Sequence, residues 1–145
     1  MKVIHKSYKF KIAPDNEQKK LLVKHFGACR FVFNRYLNNR KETQLEEKKS
    51  LNYYDNANDL TLLKKEEQFV WLKEINSQSL QSSLRNLDTS YNNFFRKQTE
   101  FPRFKNKFDR QSFTVPQSVH IEDGKLQITK YKKGEAYPMD SAIQE

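Results

Sequence analysis

A chain of 145 residues that is 36% hydrophobic and 13% aromatic has the size of one domain and enough apolar material for a core. Its 27 Lys and Arg against 18 Asp and Glu leave a formal charge of +9, which steers it toward polyanions. No apolar run approaches the roughly 20 residues of a spanning helix, MKVIHKSYKFKI is not a secretory leader, and the single cysteine, Cys29, excludes an internal disulfide and points to a reducing cytoplasm.

The first element is a strand. Val3, Ile4, Tyr8, Phe10 and Ile12 lie among Lys and His, and the alternation is strict from Tyr8 to Ile12, as in a half-buried strand with a basic outer face. Ala13-Pro14-Asp15 stops it, and Asp15 with Gln18 three residues on makes a capping-box start for a helix. Leu22, Phe26, Cys29, Phe33 and Leu37 then keep the rhythm of one helical stripe, widened by Leu21, His25, Val32 and Tyr36. This helix runs to about Lys48. A second helix fits Tyr53 to Lys65, with Ala57, Leu60 and Leu63 or Lys64 on one side, and Phe69 to Leu72 form an apolar knot. The third helix, Ser77 to Lys97, carries the stripe Leu80, Leu84, Leu87, Tyr91, Phe94 and Phe95. Ser112–Val115 and Val119–Ile128 have strand character, with Asp123-Gly124 as a two-residue hairpin turn. The fold class is α+β, a block of three main helices inserted into a small sheet built from strands at both ends of the chain.

Between the third helix and the later strands lies the stretch that carries a function. Arg96, Lys97, Arg103, Lys105, Lys107 and Arg110 face two acids, with Phe101, Phe104 and Phe108 set between them. Cations at that density repel one another unless an anionic partner neutralises them, and a nucleic-acid backbone uses both the charges and the rings. Arg30 and Arg35 on the first helix are possible additions to the same surface. No catalytic or metal-binding constellation stands beside it: His5, His25 and His120 are scattered, Cys29 lies on an apolar stripe, and Glu42, Glu46, Glu47, Glu66 and Glu67 read as solvated helix faces. With three glycines in the chain there is no Gly-rich phosphate cradle.

Tyr8-Lys9-Phe10-Lys11-Ile12-x-Pro14 and Gly27-Ala28-Cys29-Arg30-Phe31-Val32-Phe33-Asn34 resemble the opening of the TnpB/OrfB family of transposon-encoded RNA-guided DNA endonucleases, long described as transposases with an N-terminal helix-turn-helix domain. Leu60-Thr61-x-Leu63-Lys64, Trp71-Leu72, Ser79-Leu80-Gln81, Leu84-x-x-Leu87, Tyr91-x-Asn93-Phe94-Phe95-Arg96, Phe101-Pro102-Arg103-Phe104-Lys105 and Ser112-Phe113 follow in the same order, so the resemblance covers about residues 6–130. It implies a wedge-like β-barrel, here incomplete, from residues 1–13 and 100–134, into which a helical recognition lobe at 14–99 is inserted. It implies DNA and guide RNA as partners of a monomer, with no membrane or small-molecule partner, in the cytoplasm of a bacterium or archaeon.

Members of the family this sequence resembles run to several hundred residues and carry a RuvC-like nuclease domain, which holds a divalent metal such as Mg, and a zinc module of paired CxxC motifs. Neither pattern occurs in this sequence, so the expected chain has no cofactor of its own and binds without cutting. After Lys133-Gly134 the family's strand pattern gives way to EAYPMDSAIQE, read here as an unrelated, disordered tail spanning 135–145. The resemblance assigns guide RNA–DNA gripping to the lobe and a short DNA motif to its uncharged hydrogen-bonding residues. Tyr53, Ser77, Gln81 and Thr114 are the candidates for motif reading, and the cations at 96–110 with Arg30 and Arg35 are the backbone contacts. The alternatives are a stand-alone helix-turn-helix regulator on palindromic DNA, or the inert product of an interrupted transposase gene.

Overall fold

The computed structural model describes residues 1–117, 119–128 and 137–142. The chain divides into two compact units, Met1–Leu21 with Ser118–Glu145, and Leu22–Gln117, so that in sequence the helical unit lies inside the sheet unit. The boundary expected at 134–135 lies outside the described residues.

In the sheet unit, β1 (Phe10–Ile12), β2 (Val119–Glu122), β3 (Lys125–Ile128) and β4 (Tyr137–Ala142) form one antiparallel sheet in the order β1-β4-β3-β2. The β2–β3 hairpin has the expected turn. Asp123 and Gly124 take φ of 50° and 69°, the paired left-handed conformations of a two-residue turn that follows the strand twist. Three expectations change. Among the described residues the sheet is open rather than a barrel, with β1 and β2 as its edges. The opening strand is short: only Phe10–Ile12 pair, while Val3, Ile4 and Tyr8 stand exposed. The tail read as disordered holds β4, the strand that joins β1 to β3. Pro138 and the missing alternation hid it, because proline cannot donate to a ladder. Here Pro138 takes part through its carbonyl, which accepts from the Ala13 amide at 2.8 Å.

Four helices occur among the described residues, one more than expected. The first, α1 (Asn16–Glu47), opens with the reciprocal box read from the sequence. The Gln18 amide donates to Asp15 Oδ1 at 2.8 Å and the Asp15 amide donates to Gln18 Oε1 at 3.0 Å. α1 runs 32 residues before Lys48, at φ 51°, turns the chain out of the helix. A second box, Asn52 with Asp55, starts α2 (Tyr53–Leu63). The apolar knot becomes a 3-10 helix, Glu67–Glu74, that buries Leu72 and leaves Val70 and Trp71 exposed.

The last helix, α3 (Ser77–Phe95), ends before Lys97, which adopts φ 59°. Its cap is Asn76, whose side chain accepts from the Gln78 and Ser79 amides at 2.9 and 3.3 Å. Ser77 is therefore the first helical residue and not the cap. Val32, Tyr36 and Leu37 of α1, Leu60 and Leu63 of α2, Leu72, and Leu80, Leu84, Leu87 and Tyr91 of α3 form the core. The Asn76 amide also donates to His25 Nε2 at 3.3 Å, which makes His25 a buried link between α1 and the start of α3. Residues 112–115 form no strand. Phe113 instead packs its ring 5.0 Å from that of His25 and 5.3 Å from that of Phe26.

Candidate nucleic-acid interface

The basic stretch is an irregular segment fastened to the helical unit by its backbone and its rings. Asn34 of α1 donates through Nδ2 to the Lys105 carbonyl at 2.8 Å and accepts from the Lys105 amide at 2.7 Å. Phe101 packs 5.3 Å from the Tyr91 ring and 5.1 Å from the Phe94 ring. Asp109 accepts from the Asn106 amide at 2.8 Å and closes a tight turn. Farther on, Gln111 accepts from Arg30 Nη1 at 3.2 Å and donates to the Lys107 carbonyl at 2.7 Å. None of these fastenings neutralises a cation. Arg96, Lys97, Arg103, Lys105, Lys107 and Arg110 are exposed, and among the described residues none forms an ion pair with a carboxylate. An irregular segment pinned at intervals presents its charges without a helical or strand period, which is why only composition betrayed it.

The rings between the charges have separate duties. Phe101 is half-buried and anchors the segment, whereas Phe108 is 84% exposed and Phe104 48% exposed, so both are open to a stacking partner. Lys41, about one turn beyond Leu37 at the end of the α1 stripe, holds its ammonium 5.6 Å from the Phe101 centroid and 5.2 Å from that of Phe104. Lys105 does the same over Phe33 at 4.6 Å and Lys107 over Phe108 at 5.0 Å. Neither Lys41 nor Asn34 stands out by composition. Their spacing of seven residues sets them on one face of α1, the one signal that could have found them.

The two α1 arginines part company. Arg30 reaches the basic segment through Gln111, while Arg35 lays its guanidinium over Phe69 at 4.8 Å. Of the uncharged candidates, Ser77 and Gln81 lie on one flank of the buried α3 stripe. Arg85 follows a turn later and stacks on Tyr53 at 4.3 Å, which brings Tyr53 to that same flank. Arg85 was not singled out from the sequence, where it reads as an ordinary exposed charge. Thr114 lies on the opposite flank, in a cleft with Ser79, Ser82 and Asn86. The four residues therefore do not form one reading surface.

Cys29 lines that cleft, 6% exposed, with its thiol 3.7 Å from the Ser79 carbonyl. Burial pushes its pKa up to about 11, opposed weakly by the Lys105 ammonium. The thiol is therefore neutral and unreactive at physiological pH. Because the folded thiol holds its proton more tightly than the unfolded one, its contribution to stability is complete below about pH 9 and is lost as the pH climbs through about 11. Tyr36 and Tyr91, also raised chiefly by burial, act in the same direction. Urea midpoints should hold steady up to about pH 9 and fall beyond it; a midpoint that rises across that window would contradict the burial of these groups.

Comparison with known proteins agrees with the motifs. Residues 1–49 match the family profile described as a helix-turn-helix domain, of the OrfB_IS605 type. "Putative RNA-guided DNA endonuclease InsQ" of Escherichia coli (strain K12) is 38% identical over 128 residues, 88% of this chain and 32% of that protein. A "Putative RNA-guided DNA endonuclease" of Streptomyces pristinaespiralis is 33% identical over 132 residues, covering 90% of this chain and 33% of its own length. "Virulence protein VsdF" of Salmonella dublin is 32% identical over 105 residues, 66% of this chain and 88% of that protein. The chain thus spans about a third of the length of the two endonuclease-named relatives. From the motif order at residues 6–130, the matched profile and these relatives, the chain belongs to the TnpB/OrfB family.

Proposed function

We propose that this chain binds nucleic acid through the segment 96–110 and Arg30, gripping the phosphate backbone of DNA and of a structured guide RNA, and that it does not itself cleave. The observation that carries the reading is the row of six exposed cations without a carboxylate partner among the described residues. Lysines and arginines on a protein surface ordinarily alternate with acids that offset their repulsion. Left together beside two exposed phenylalanines, they match a nucleic-acid strand, whose phosphates supply the charge and whose bases supply the stacking faces. Arg35 and the flank of Tyr53, Ser77, Gln81 and Arg85 are secondary contacts in this reading. The flank offers donors and acceptors of the kind that read base edges.

A second reading, a stand-alone regulator that docks a recognition helix in DNA, draws on the helix-turn-helix description of residues 1–49. That motif needs two helices joined by a short turn. Residues 16–47 form one uninterrupted helix, which passes straight through Gly27. The matched residues therefore hold one helix and only the start, at Lys48, of the short turn that leads to α2, and the row of exposed cations favours the first reading.

Fluorescence anisotropy with a labelled RNA hairpin, an RNA–DNA heteroduplex and a palindromic DNA duplex separates the two. About six phosphate contacts give log affinity falling with log salt at a slope of roughly −4 to −5, expected here on the hairpin or heteroduplex with a monomeric protein. Preference for the palindrome by a dimer would favour the regulator. Absence of binding to all three at low salt would end both readings. Intact DNA after incubation with Mg is the expected result on cleavage, and nicking by the purified chain would refute that part.

A further inference from the structure

The cleft flanked by α1, α3 and the end of the basic segment has a volume of about 290 Å³, at the small end of the roughly 300–1,000 Å³ of small-molecule pockets. It is too small for a duplex and large enough for one nucleotide-sized group. The lining residues Lys105, Arg30 and Gln111 are held before any ligand arrives, by the paired Asn34–Lys105 bonds and by the Arg30–Gln111–Lys107 bonds. Preformed walls reduce the ordering cost of binding.

The lining brings three kinds of chemistry together. Lys105, Arg110 and Arg30 supply cations, against the single carboxylate of Asp109, which is occupied by the Asn106 amide. Phe26 and Phe113, both half-buried, supply apolar ring surface. Ser82 and Asn86 of α3 offer hydrogen-bonding groups beside the rings. The lining also includes Ser79, which is 1% exposed, and its hydroxyl has no hydrogen-bond partner. A buried hydroxyl left so is costly, and a ligand group that pairs with it recovers the loss. By contrast Ser83, also on the lining, donates to the Cys29 carbonyl at 2.8 Å and is satisfied. Cations, rings and an unused polar group in one small cleft match the three kinds of surface a nucleotide presents: phosphate, base face and base edge.

We infer that this cleft receives a single unpaired nucleotide, with its phosphate on Lys105 and Arg110 and its base against Phe26 and Phe113. The assignment rests on the polyanion reading of residues 96–110 and adds to it a place for a base turned out of a strand. The serines and Asn86 stand at i, i+3, i+4 and i+7 along α3, on the flank away from Ser77 and Gln81, so this site is separate from the flank assigned to motif reading.

The test compares trithymidylate carrying a terminal phosphate with the same molecule lacking its central base, by titration calorimetry at low salt. The two probes have equal charge, so any difference reports the base. The intact probe should bind about tenfold or more tightly, as expected for one base stacked on aromatic side chains. Asn86→Trp, at an exposed position on the cleft wall, should fill the cleft and bind both probes at the weaker level, with its salt slope on the RNA hairpin unchanged. Equal binding of the two probes by the unmodified chain, with salt-dependent hairpin binding intact, would overturn the cleft and leave the polyanion reading standing. Failure to bind any of these nucleic acids would overturn both. Thymidine monophosphate that binds as tightly as the trinucleotide would keep the cleft as a nucleotide site and make a free nucleotide its source.

Discussion

Replacing Arg103, Lys105, Lys107 and Arg110 together by glutamine is expected to flatten the salt dependence of RNA binding by about 3 units and to weaken binding most at low salt. Each contact with a phosphate releases counterions worth roughly 0.7 to 0.9 of the slope, so four lost contacts remove most of the −4 to −5 expected of six. The fold should survive. The segment is fastened through the Lys105 backbone, the Phe101 and Phe113 rings and the Asp109 turn, and none of these uses the four charges. The losses to stability are the Lys105 and Lys107 contacts with Phe33 and Phe108, worth about 0.5–1 kcal/mol at exposed sites. A slope unchanged in the quadruple variant, with helix content intact by circular dichroism, would mean that the contact surface lies elsewhere.

The largest effect on stability is expected at Asp88. Arg40 of α1 is 3% exposed, an unusual place for a guanidinium, and it ties the three α-helices together. Its Nε donates to Asn56 Oδ1 of α2 at 2.7 Å, its Nη2 donates to Asp88 Oδ1 of α3 at 3.0 Å, and its plane lies 5.1 Å from the Tyr91 centroid. Asp88→Ala removes the only carboxylate paired with Arg40 among the described residues and leaves a buried cation. Breaking a buried pair in this way costs about 3–5 kcal/mol. Since the Asp88 side chain is 27% exposed and water can reach the vacated place, about 3 kcal/mol is the expected value. Arg40→Met with Asp88→Leu removes both charges and should recover much of that loss. Urea unfolding of the two variants decides it. A cost below about 1 kcal/mol for Asp88→Ala would put the pair with ordinary surface ion pairs.

How far the fold could be read in advance varied from element to element. The α1 box, the α2 and α3 spans and the Asp123-Gly124 turn came from local signals, because caps, turns and 3.6-residue stripes are chemistry between near neighbours. β4 could not be read that way. Its neighbour β1 lies at the other end of the chain, and with Pro138 and Asp140 inside it only the pairing makes it a strand. Residues 112–115 failed in the opposite sense. Their β-branched and aromatic composition suits a strand, but the Phe113 ring was claimed by His25 and Phe26.

The amino-acid order alone established the α+β class, the helical insertion, the concentration of positive charge at 96–110 and the motif series of the family, since composition and periodicity are properties of neighbours along the chain. Three-dimensional packing decided the rest: that Arg40 is buried, that Tyr53 joins the flank of Gln81 while Thr114 does not, and that two distant stretches of chain meet α3 to enclose the cleft at Ser79. Such placements depend on contacts between residues tens of positions apart, and no local rule of spacing carries that information.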